Sequence, residues 1–196
     1  MKTGKAILIG AALLFTTAAV HAQSMKNMIK IGALAGASVP SNNSAAAAGL
    51  DVAYQNLVTP HFGLGVATGY QHHFGKENDV NGTQLDNNSF GVVPVAALVR
   101  YYPKAEGIYI GTDLGYGVIT GDERVATNAA AARPDGGFYL KPEVGYHNRN
   151  WNIFAHYSKV FTGDKGTINV GNASQKYNTG IIGIGLAYNI GLGTGR

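Results

Sequence analysis

The sequence predicts an all-β protein: an eight-stranded antiparallel up-and-down transmembrane β-barrel after a cleaved signal peptide. Three observations predict this fold. Apolar residues recur at every second position along eight stretches of the chain, which is typical of strands with two different faces. Charged residues make up only 13% of the chain, about half the usual share. The connections between the stretches alternate between short and long, as in membrane barrels.

The N-terminus has the features of a secretory leader. Lys2 and Lys5 precede the apolar run Ala6–Val20, which is too short to cross a bilayer as a helix. A cleavage site follows, so the mature chain is expected to begin at Gln23, although an uncleaved anchor stays open as an alternative. The chain has no cysteine, which excludes disulfides and a lipoprotein anchor. The predicted domains are a signal peptide, 1–22, and an outer-membrane-type barrel, 23–196.

Eight strands are predicted from the alternation, and each is long enough to cross a hydrocarbon layer when tilted. They are 28–38, 48–56, 62–74, 89–102, 108–118, 137–147, 151–160 and 177–190. The short connections are Leu57–His61, Pro103–Gly107 and Asn148–Asn150. The long ones are Val39–Ala47, Gly75–Asn88, Ile119–Gly136 and Phe161–Lys176. The long connections are rich in Asn, Asp, Gly, Ser and Ala, which favours turns and disorder over packing.

The two faces of the predicted strands differ in size as well as polarity. The fifth strand has Ile108, Ile110 and Leu114 on one face and small or polar residues such as Gly111 and Asp113 on the other. The inside of a narrow eight-stranded barrel is crowded, so the small and polar face is expected to point inward. Six charged residues are then predicted to form a network in the lumen, although Lys30 and Arg100 could instead lie in water at the rim. They are Lys30, Asp51, Arg100, Asp113, Lys141 and Glu143.

Aromatic residues gather near strand ends, which predicts interfacial girdles. The predicted girdle residues are Tyr70, Tyr101, Tyr102, Tyr109, Tyr146, Trp151 and Tyr188. Two prolines, Pro94 and Pro142, interrupt predicted strands, where each removes a ladder hydrogen bond. A closed barrel has no edge strand to hold them, and bulges at these positions would resolve the conflict. Alternation also predicts that Val144→Lys costs more stability than its inward neighbour Gly145→Ser.

Charge and motifs exclude several function classes. The chain has 15 basic and 11 acidic residues, two of the lysines in the leader, so no nucleic acid partner is indicated. The glycines of "GLGVATG" and "GIGIG" keep the strand period and do not form a nucleotide loop. His72 and His73 are adjacent, so on a strand they point to opposite faces and are expected at a rim. No cofactor, metal site or catalytic residue is predicted.

Four stretches carry a family resemblance: "VPVAALVRYY", "IYIGTDLGYG", "GFYLKPEVGYH" and "GIIGIGLAYNI". With the leader, they resemble the small eight-stranded outer-membrane β-barrel proteins of Gram-negative bacteria over nearly the whole mature chain. The resemblance implies a location in the cell outer membrane and assembly by the outer-membrane insertion machinery. It also implies contact with outer-membrane lipids and lipopolysaccharide, and does not identify a partner of the loops. Such chains often end on an aromatic residue, whereas this one continues with "GLGTGR".

A structural or surface-interaction role without catalysis is therefore predicted, and two alternatives stay open. His156 and Ser158 lie two residues apart and resemble the His-x-Ser of outer-membrane lipid A deacylases. Their parity points them into the barrel, away from a lipid substrate, and Asp164, the acidic residue that follows, lies in a predicted loop. The second alternative is a soluble β-barrel that binds a small apolar ligand.

Overall fold

The computed structural model describes residues 26–193, so the predicted signal peptide lies outside the described residues. Eight long strands in this part of the chain close a barrel in which all neighbours are antiparallel, in the order β1-β12-β9-β8-β7-β6-β3-β2. The barrel strands are β1 (Asn27–Ser38), β2 (Ser44–Leu57), β3 (Phe62–Gly75), β6 (Phe90–Tyr101), β7 (Gly107–Gly121), β8 (Gly136–His147), β9 (Trp151–Phe161) and β12 (Ile181–Gly191). The predicted eight-stranded antiparallel barrel is confirmed.

Two further hairpins lie inside connections that we expected to be irregular. They are β4 (Glu77–Val80) with β5 (Thr83–Asp86), and β10 (Ile168–Val170) with β11 (Ala173–Gln175). The expectation that these two long connections lack packed structure is therefore wrong. The first hairpin turns at Asn81 and Gly82, both with positive φ, and the second turns at Gly171. An Asn-Gly pair between two short strands is the strongest local hairpin pattern, and it is not visible in period-two alternation alone.

Strand ends differ from the prediction by more than one residue at three places, and at one of them β7 extends to Gly121 rather than to residue 118. β2 begins at Ser44, so the first long connection shrinks to residues 39–43, because the alanines that precede Gly49 pair with the end of β3. The last strand begins at Ile181 rather than at residue 177. It pairs with β1 through eleven consecutive residue pairs, from Met28↔Gly191 to Ser38↔Ile181. Closure leaves no sheet edge, as a hydrocarbon environment requires.

The two prolines interrupt the ladders without changing the register, so β6 and β8 accommodate them without bulges. Between β3 and β6 the pairing stops after Thr68↔Val95 and resumes, in the same register, at Gln71↔Val92. Pro94 lies in this gap and is paired with β7 on its other side. Pro142 likewise pairs with β7 and interrupts the ladder to β9. The barrel therefore tolerates the missing N–H of each proline as a short gap in the hydrogen-bond ladder on one side of the strand.

The outer face of the barrel is an apolar belt between two rows of aromatic side chains. Ile184 is 69% exposed and Ile108 is 67% exposed, which is the reverse of a soluble barrel with its large apolar residues inside. This arrangement argues against the soluble alternative. At the tight-turn end the aromatic row consists of Tyr54, Phe62, Tyr101, Tyr146, Trp151 and Tyr188. At the loop end it consists of Tyr70, Phe74, Tyr116, Phe138, Tyr157 and Phe161. Within residues 26–193, the structure contains no helix long and apolar enough to span a membrane.

Candidate functional site: the filled lumen and its cap

Six charged side chains meet inside the barrel, on five different strands. Alternation turns every second residue of β1, β2, β6, β7 and β8 toward the lumen, and the charges occupy those positions. Five are buried, and the carboxylate of Asp51 is 17% exposed. The structure therefore brings together all six residues of the predicted network: Lys30, Asp51, Arg100, Asp113, Lys141 and Glu143.

Arg100 and Lys141 are the two centres of this layer. The Arg100 guanidinium lies 2.8 Å from Asp113 Oδ1 and 2.7 Å from Glu143 Oε1. The Lys141 ammonium pairs with Asp51 and lies 3.3 Å from Asp113 Oδ2 and 3.9 Å from Glu143 Oε2. Each carboxylate thus has at least one cation against it, which is the condition under which buried charges are tolerated.

Lys30 is the third cation, and two buried tyrosines hold it. Its ammonium donates to Tyr102 Oη at 2.8 Å and lies 5.5 Å and 5.8 Å from the ring centroids of Tyr102 and Tyr109. Tyr102 donates in turn to Gln55 Oε1, and Tyr109 donates to Glu143 Oε1 at 3.0 Å. Burial raises the pKa of Tyr102, which follows β6, to about 12, so this phenol stays neutral. Lys30 and Arg100 are therefore buried rather than in rim water.

The prediction that Tyr102 and Tyr109 belong to the interfacial girdles is wrong. Both are buried in the lumen, at 5% and 1% exposure. Tyr109 shares the parity of Asp113 on β7, and Tyr102 follows the outward Tyr101 by one residue, so each takes the inward direction. The other five predicted girdle residues face outward, with Tyr188 half-buried and the rest exposed: Tyr70, Tyr101, Tyr146, Trp151 and Tyr188.

The charged layer leaves little free space in the barrel. A cavity of about 30 Å³ remains beside it, lined by Lys30, Asp51, Arg100 and smaller residues such as Ala67 and Ala187. This volume holds about two water molecules. An eight-stranded barrel has an interior just wide enough for side chains to fill, and this lumen is filled in that way.

Toward the loop end the lumen is mainly apolar, and the connections fold over it. One buried cluster joins strand residues to loop residues, and we call it the cap core. Its members are Val80, Leu85, Phe90, Val92, Ala96, Ile119, Val125, Ala126, Tyr139, Val160, Ile168 and Tyr177. His73 stacks on Phe90 with ring centroids 4.4 Å apart, and Phe90 contacts Tyr177 at 5.1 Å. Burial raises the pKa of the Tyr177 phenol in the connection that precedes β12.

Side-chain amides tie the connections above this core to one another. Asn78 of β4 donates to Gln175 of β11 at 2.7 Å, and Gln175 donates to Asn87 at 2.6 Å. Asn128 of the third long connection donates to Gln84 O of β5. A groove of about 330 Å³ lies between the two hairpins, lined mainly by polar residues that include Asn42, Asn78 and Ser174. The loops therefore present one fixed surface. Sequence reasoning missed it because these contacts join segments far apart in the chain.

No hydrogen bond joins His156 to Ser158. Both point into the lumen and are buried, at 4% and 1% exposure. Ser158 donates to Gln71 Oε1 at 3.3 Å, and neither ring nitrogen of His156 has a hydrogen-bond partner. Glu143 is the register partner of His156, but its carboxylate is engaged by Arg100 and Tyr109. No base contacts the Ser158 hydroxyl, and the site is closed to the belt where a lipid substrate would lie.

The adjacent histidines point to opposite faces, as predicted from their spacing. His72 lies on the outer face beside Tyr70, whose hydroxyl is 3.2 Å from His72 Nδ1, and His73 lies in the lumen below the cap. Within the described part of the chain, no three His, Asp or Glu side chains are grouped so that they could hold a metal ion.

Comparison with solved structures shows the fold that this geometry belongs to. The chain is similar to the outer membrane protein OprG of Pseudomonas aeruginosa, with a TM-score of 0.53 and 16% identity over 84% of this chain and 95% of that one. It is similar to the Yersinia pestis outer membrane protein Ail in a phospholipid bilayer nanodisc, with a TM-score of 0.50 and 16% identity over 84% and 98% of the chains. No protein-family model and no curated protein matches the sequence.

The chain therefore has the fold of the small eight-stranded outer-membrane β-barrels. Its own apolar belt, bounded by two aromatic rows, is the surface that such a barrel presents to lipid. Fold and belt together are those of an integral membrane barrel of the outer-membrane type.

Proposed function

We propose that the chain is a non-catalytic outer-membrane protein whose barrel holds a folded cap at the cell surface for contact with an external partner. The cap core carries this proposal. Three of the four long connections, which would be costly to order individually, share one apolar cluster, and their two hairpins are joined by the Asn78–Gln175–Asn87 amide chain. A loop surface that is ordered before binding loses less conformational entropy when a partner binds. The filled lumen supports a display role over transport of large solutes.

The orientation of the cap is testable because the chain contains no cysteine. Ser174→Cys places a thiol on the exposed face of β11, and Thr59→Cys places one in the exposed turn between β2 and β3. With the long connections outside the cell, a membrane-impermeant maleimide labels Ser174→Cys on intact cells. It labels Thr59→Cys only after the outer membrane is permeabilised. Equal labelling of both variants on intact cells, or labelling of Thr59→Cys alone, would contradict the proposed display.

The absence of catalysis is tested on the lipid that a deacylase would modify. Cells that express the chain are expected to keep the acyl-chain pattern of their lipid A, measured by mass spectrometry of the extracted lipid. Ser158→Ala and His156→Ala are expected to leave that pattern unchanged. Loss of an acyl chain with the parent protein and its return with Ser158→Ala would establish the enzyme instead.

Processing and assembly belong to the same proposal. The leader 1–22 directs export, cleavage leaves Gln23 at the N-terminus, and the outer-membrane insertion machinery then folds the barrel among lipopolysaccharide molecules. N-terminal sequencing of protein purified from the outer-membrane fraction tests the cleavage, and retention of residues 1–22 would show an uncleaved anchor. When the insertion machinery is depleted, the chain is expected to stay unfolded. Its gel mobility is then expected to be the same with and without heating.

A further inference from the structure

The lipid-facing side of the barrel carries one charged side chain. Outward positions on the eight barrel strands are otherwise apolar, aromatic, small or uncharged polar, and only Lys159 of β9 breaks this pattern among the described residues. Position 159 shares the outward parity of Tyr157 and Phe161, and it pairs with the outward Leu140 of β8. A charge on a lipid-facing surface is unfavourable by an amount that depends on its depth, so its surroundings decide whether it is tolerated.

Lys159 lies at the loop-end edge of the belt. Phe161, the next outward residue, pairs with Phe138 and forms part of the loop-end aromatic row. The Lys159 ammonium lies 5.5 Å from the Phe161 ring centroid, so the side chain extends toward the headgroup level and away from the middle of the belt. Successive outward residues on a strand are about 7 Å apart, which the long lysine side chain can reach.

The ammonium has no protein counterion. Within residues 26–193, no carboxylate lies within ion-pair distance of Lys159, and its side chain has no hydrogen-bond acceptor. Lys176, which also lies near the loop end, differs in this respect. Its ammonium lies 3.0 Å from Asp164 Oδ1, in water. An ammonium has three donors, and the Phe161 ring occupies only one side of it. Within residues 26–193 the ammonium is therefore open to an anion that these residues do not supply.

We propose that Lys159 binds the phosphate of an outer-leaflet lipid, with Phe161 and Tyr157 against the first part of the lipid's acyl region. The proposal rests on the orientation given under the proposed function, since it needs the loop end to face the outer leaflet. A lipid phosphate fits the position for two reasons. It supplies the anion at headgroup depth, and its acyl chains cover the apolar surface on either side of the lysine. Free inorganic phosphate shares the anionic chemistry but not the acyl contact.

The test compares lipids that differ only in phosphate. The full barrel is refolded into phosphatidylcholine nanodiscs that contain either bisphosphorylated lipid A or the same lipid with both phosphates removed, and bound lipid is counted by native mass spectrometry. We expect the parent protein to retain the phosphorylated form about fivefold more strongly, the increment typical of one lysine at a membrane surface. Lys159→Gln is expected to abolish this preference and Lys159→Arg to keep it.

Three controls make the outcome decisive. Lys165→Gln removes the same charge from an exposed position in the turn after β9 and is expected to keep the preference. A preference that survives in Lys159→Gln, or that Lys165→Gln removes equally, would overturn the site. Displacement of lipid A by an equimolar amount of inorganic phosphate would overturn the lipid as the source of the anion. Heat-dependent gel mobility is recorded for every sample, because a parent barrel that does not insert would contradict the proposed function rather than this site.

Discussion

The two halves of the lumen are filled in opposite ways. The half toward the tight turns holds three cations and three carboxylates, with Tyr102, Tyr109 and Gln55 completing their hydrogen bonds. The half toward the loops is mainly apolar, with Phe90, Val92 and Ile119 beneath the hairpins, and its buried polar side chains Gln71, His73 and Ser158 are not carboxylates or basic amines. One barrel wall thus surrounds a charged layer and a mainly apolar core.

The difference follows from what closes each half. The charged layer is built from strand positions alone, so its geometry is set by the register of the barrel. The cap core needs the connections, because Leu85, Val125 and Ile168 contribute from outside the wall. The charged layer should therefore be coupled to global unfolding, and the cap core should be able to open locally while the wall stays closed.

The largest expected effect comes from breaking the charged layer. Glu143→Leu removes the carboxylate that contacts Arg100 at 2.7 Å and accepts from Tyr109 at 3.0 Å. A buried cation then lacks one of its partners, and the free energy of unfolding is expected to fall by about 3–5 kcal/mol. Reversible unfolding in lipid vesicles measures this change.

The matched control for Glu143→Leu removes its partner as well. Arg100→Leu alone is expected to be comparably destabilising, because Asp113 and Glu143 both lose the guanidinium. The double variant leaves Lys30 and Lys141 against Asp51 and Asp113, so its loss is expected to be smaller than the sum of the single losses. A cost under about 1 kcal/mol for Glu143→Leu would mean that the layer is hydrated like an exposed pair.

A second, smaller effect tests which face of the barrel wall points to lipid. Val66 is 61% exposed on the belt, and its neighbour Ala67 borders the small cavity in the lumen. Val66→Lys is expected to destabilise the barrel by about 2–4 kcal/mol because it places a charge in hydrocarbon. Ala67→Ser is expected to change stability by under about 1 kcal/mol, since it adds a hydroxyl beside polar groups. Equal losses in vesicle unfolding would contradict the assigned faces.

Gly145→Ser is a poorer control for Val144→Lys than the inward direction of position 145 suggests. A Cβ added there would lie 2.5 Å from the carbonyl oxygen of Ile153 and 2.8 Å from Tyr109. A serine at position 145 would need the backbone of β9 to move, which disturbs the ladder, so the ranking of Val144→Lys above Gly145→Ser does not test facing alone. Alternation gives the direction in which a side chain points, but it does not give the space available to it.

The same limit holds for the rest of the molecule: the sequence predicts the direction of a side chain, but not its surroundings. Period-two alternation identified the eight wall strands and the direction of Lys141 and Glu143, because both depend on local geometry. The partners of those charges could not be predicted, since Arg100 and Asp51 meet them only through the closed register. The cap was missed for the same reason: Asn78 and Gln175 are 97 residues apart in the chain. Tyr109 shows that an aromatic near a strand end takes its direction from parity rather than from residue type.

The third effect sharpens the distinction between wall and cap. Leu85 of β5 is 2% exposed in the cap core. Leu85→Ala is expected to lower the free energy of local opening of β4 and β5 by about 2 kcal/mol or more, because a cavity forms in a small core. Global unfolding of the barrel is expected to change by much less. Amide hydrogen exchange in a bilayer measures both, with the exposed Asp86→Ala as the control on the same strand. A loss that appears equally in global unfolding would make cap and wall one cooperative unit.

The smallest effect is expected for an exposed ion pair, Lys176 with Asp164, compared with the buried pair of Arg100 and Glu143. Lys176 Nζ lies 3.0 Å from Asp164 Oδ1, but the two side chains are 68% and 87% exposed. Solvent and salt screen such a pair, so Lys176→Ala is expected to change the free energy of unfolding by under about 0.5 kcal/mol in vesicles. Arg100 and Glu143 are separated by a similar distance, 2.7 Å, at 4% side-chain exposure, which leaves burial as the main difference between the two pairs. If Lys176→Ala were as destabilising as Glu143→Leu, the cap surface would be dry, and the charged layer would no longer be the feature that couples the lumen to global stability.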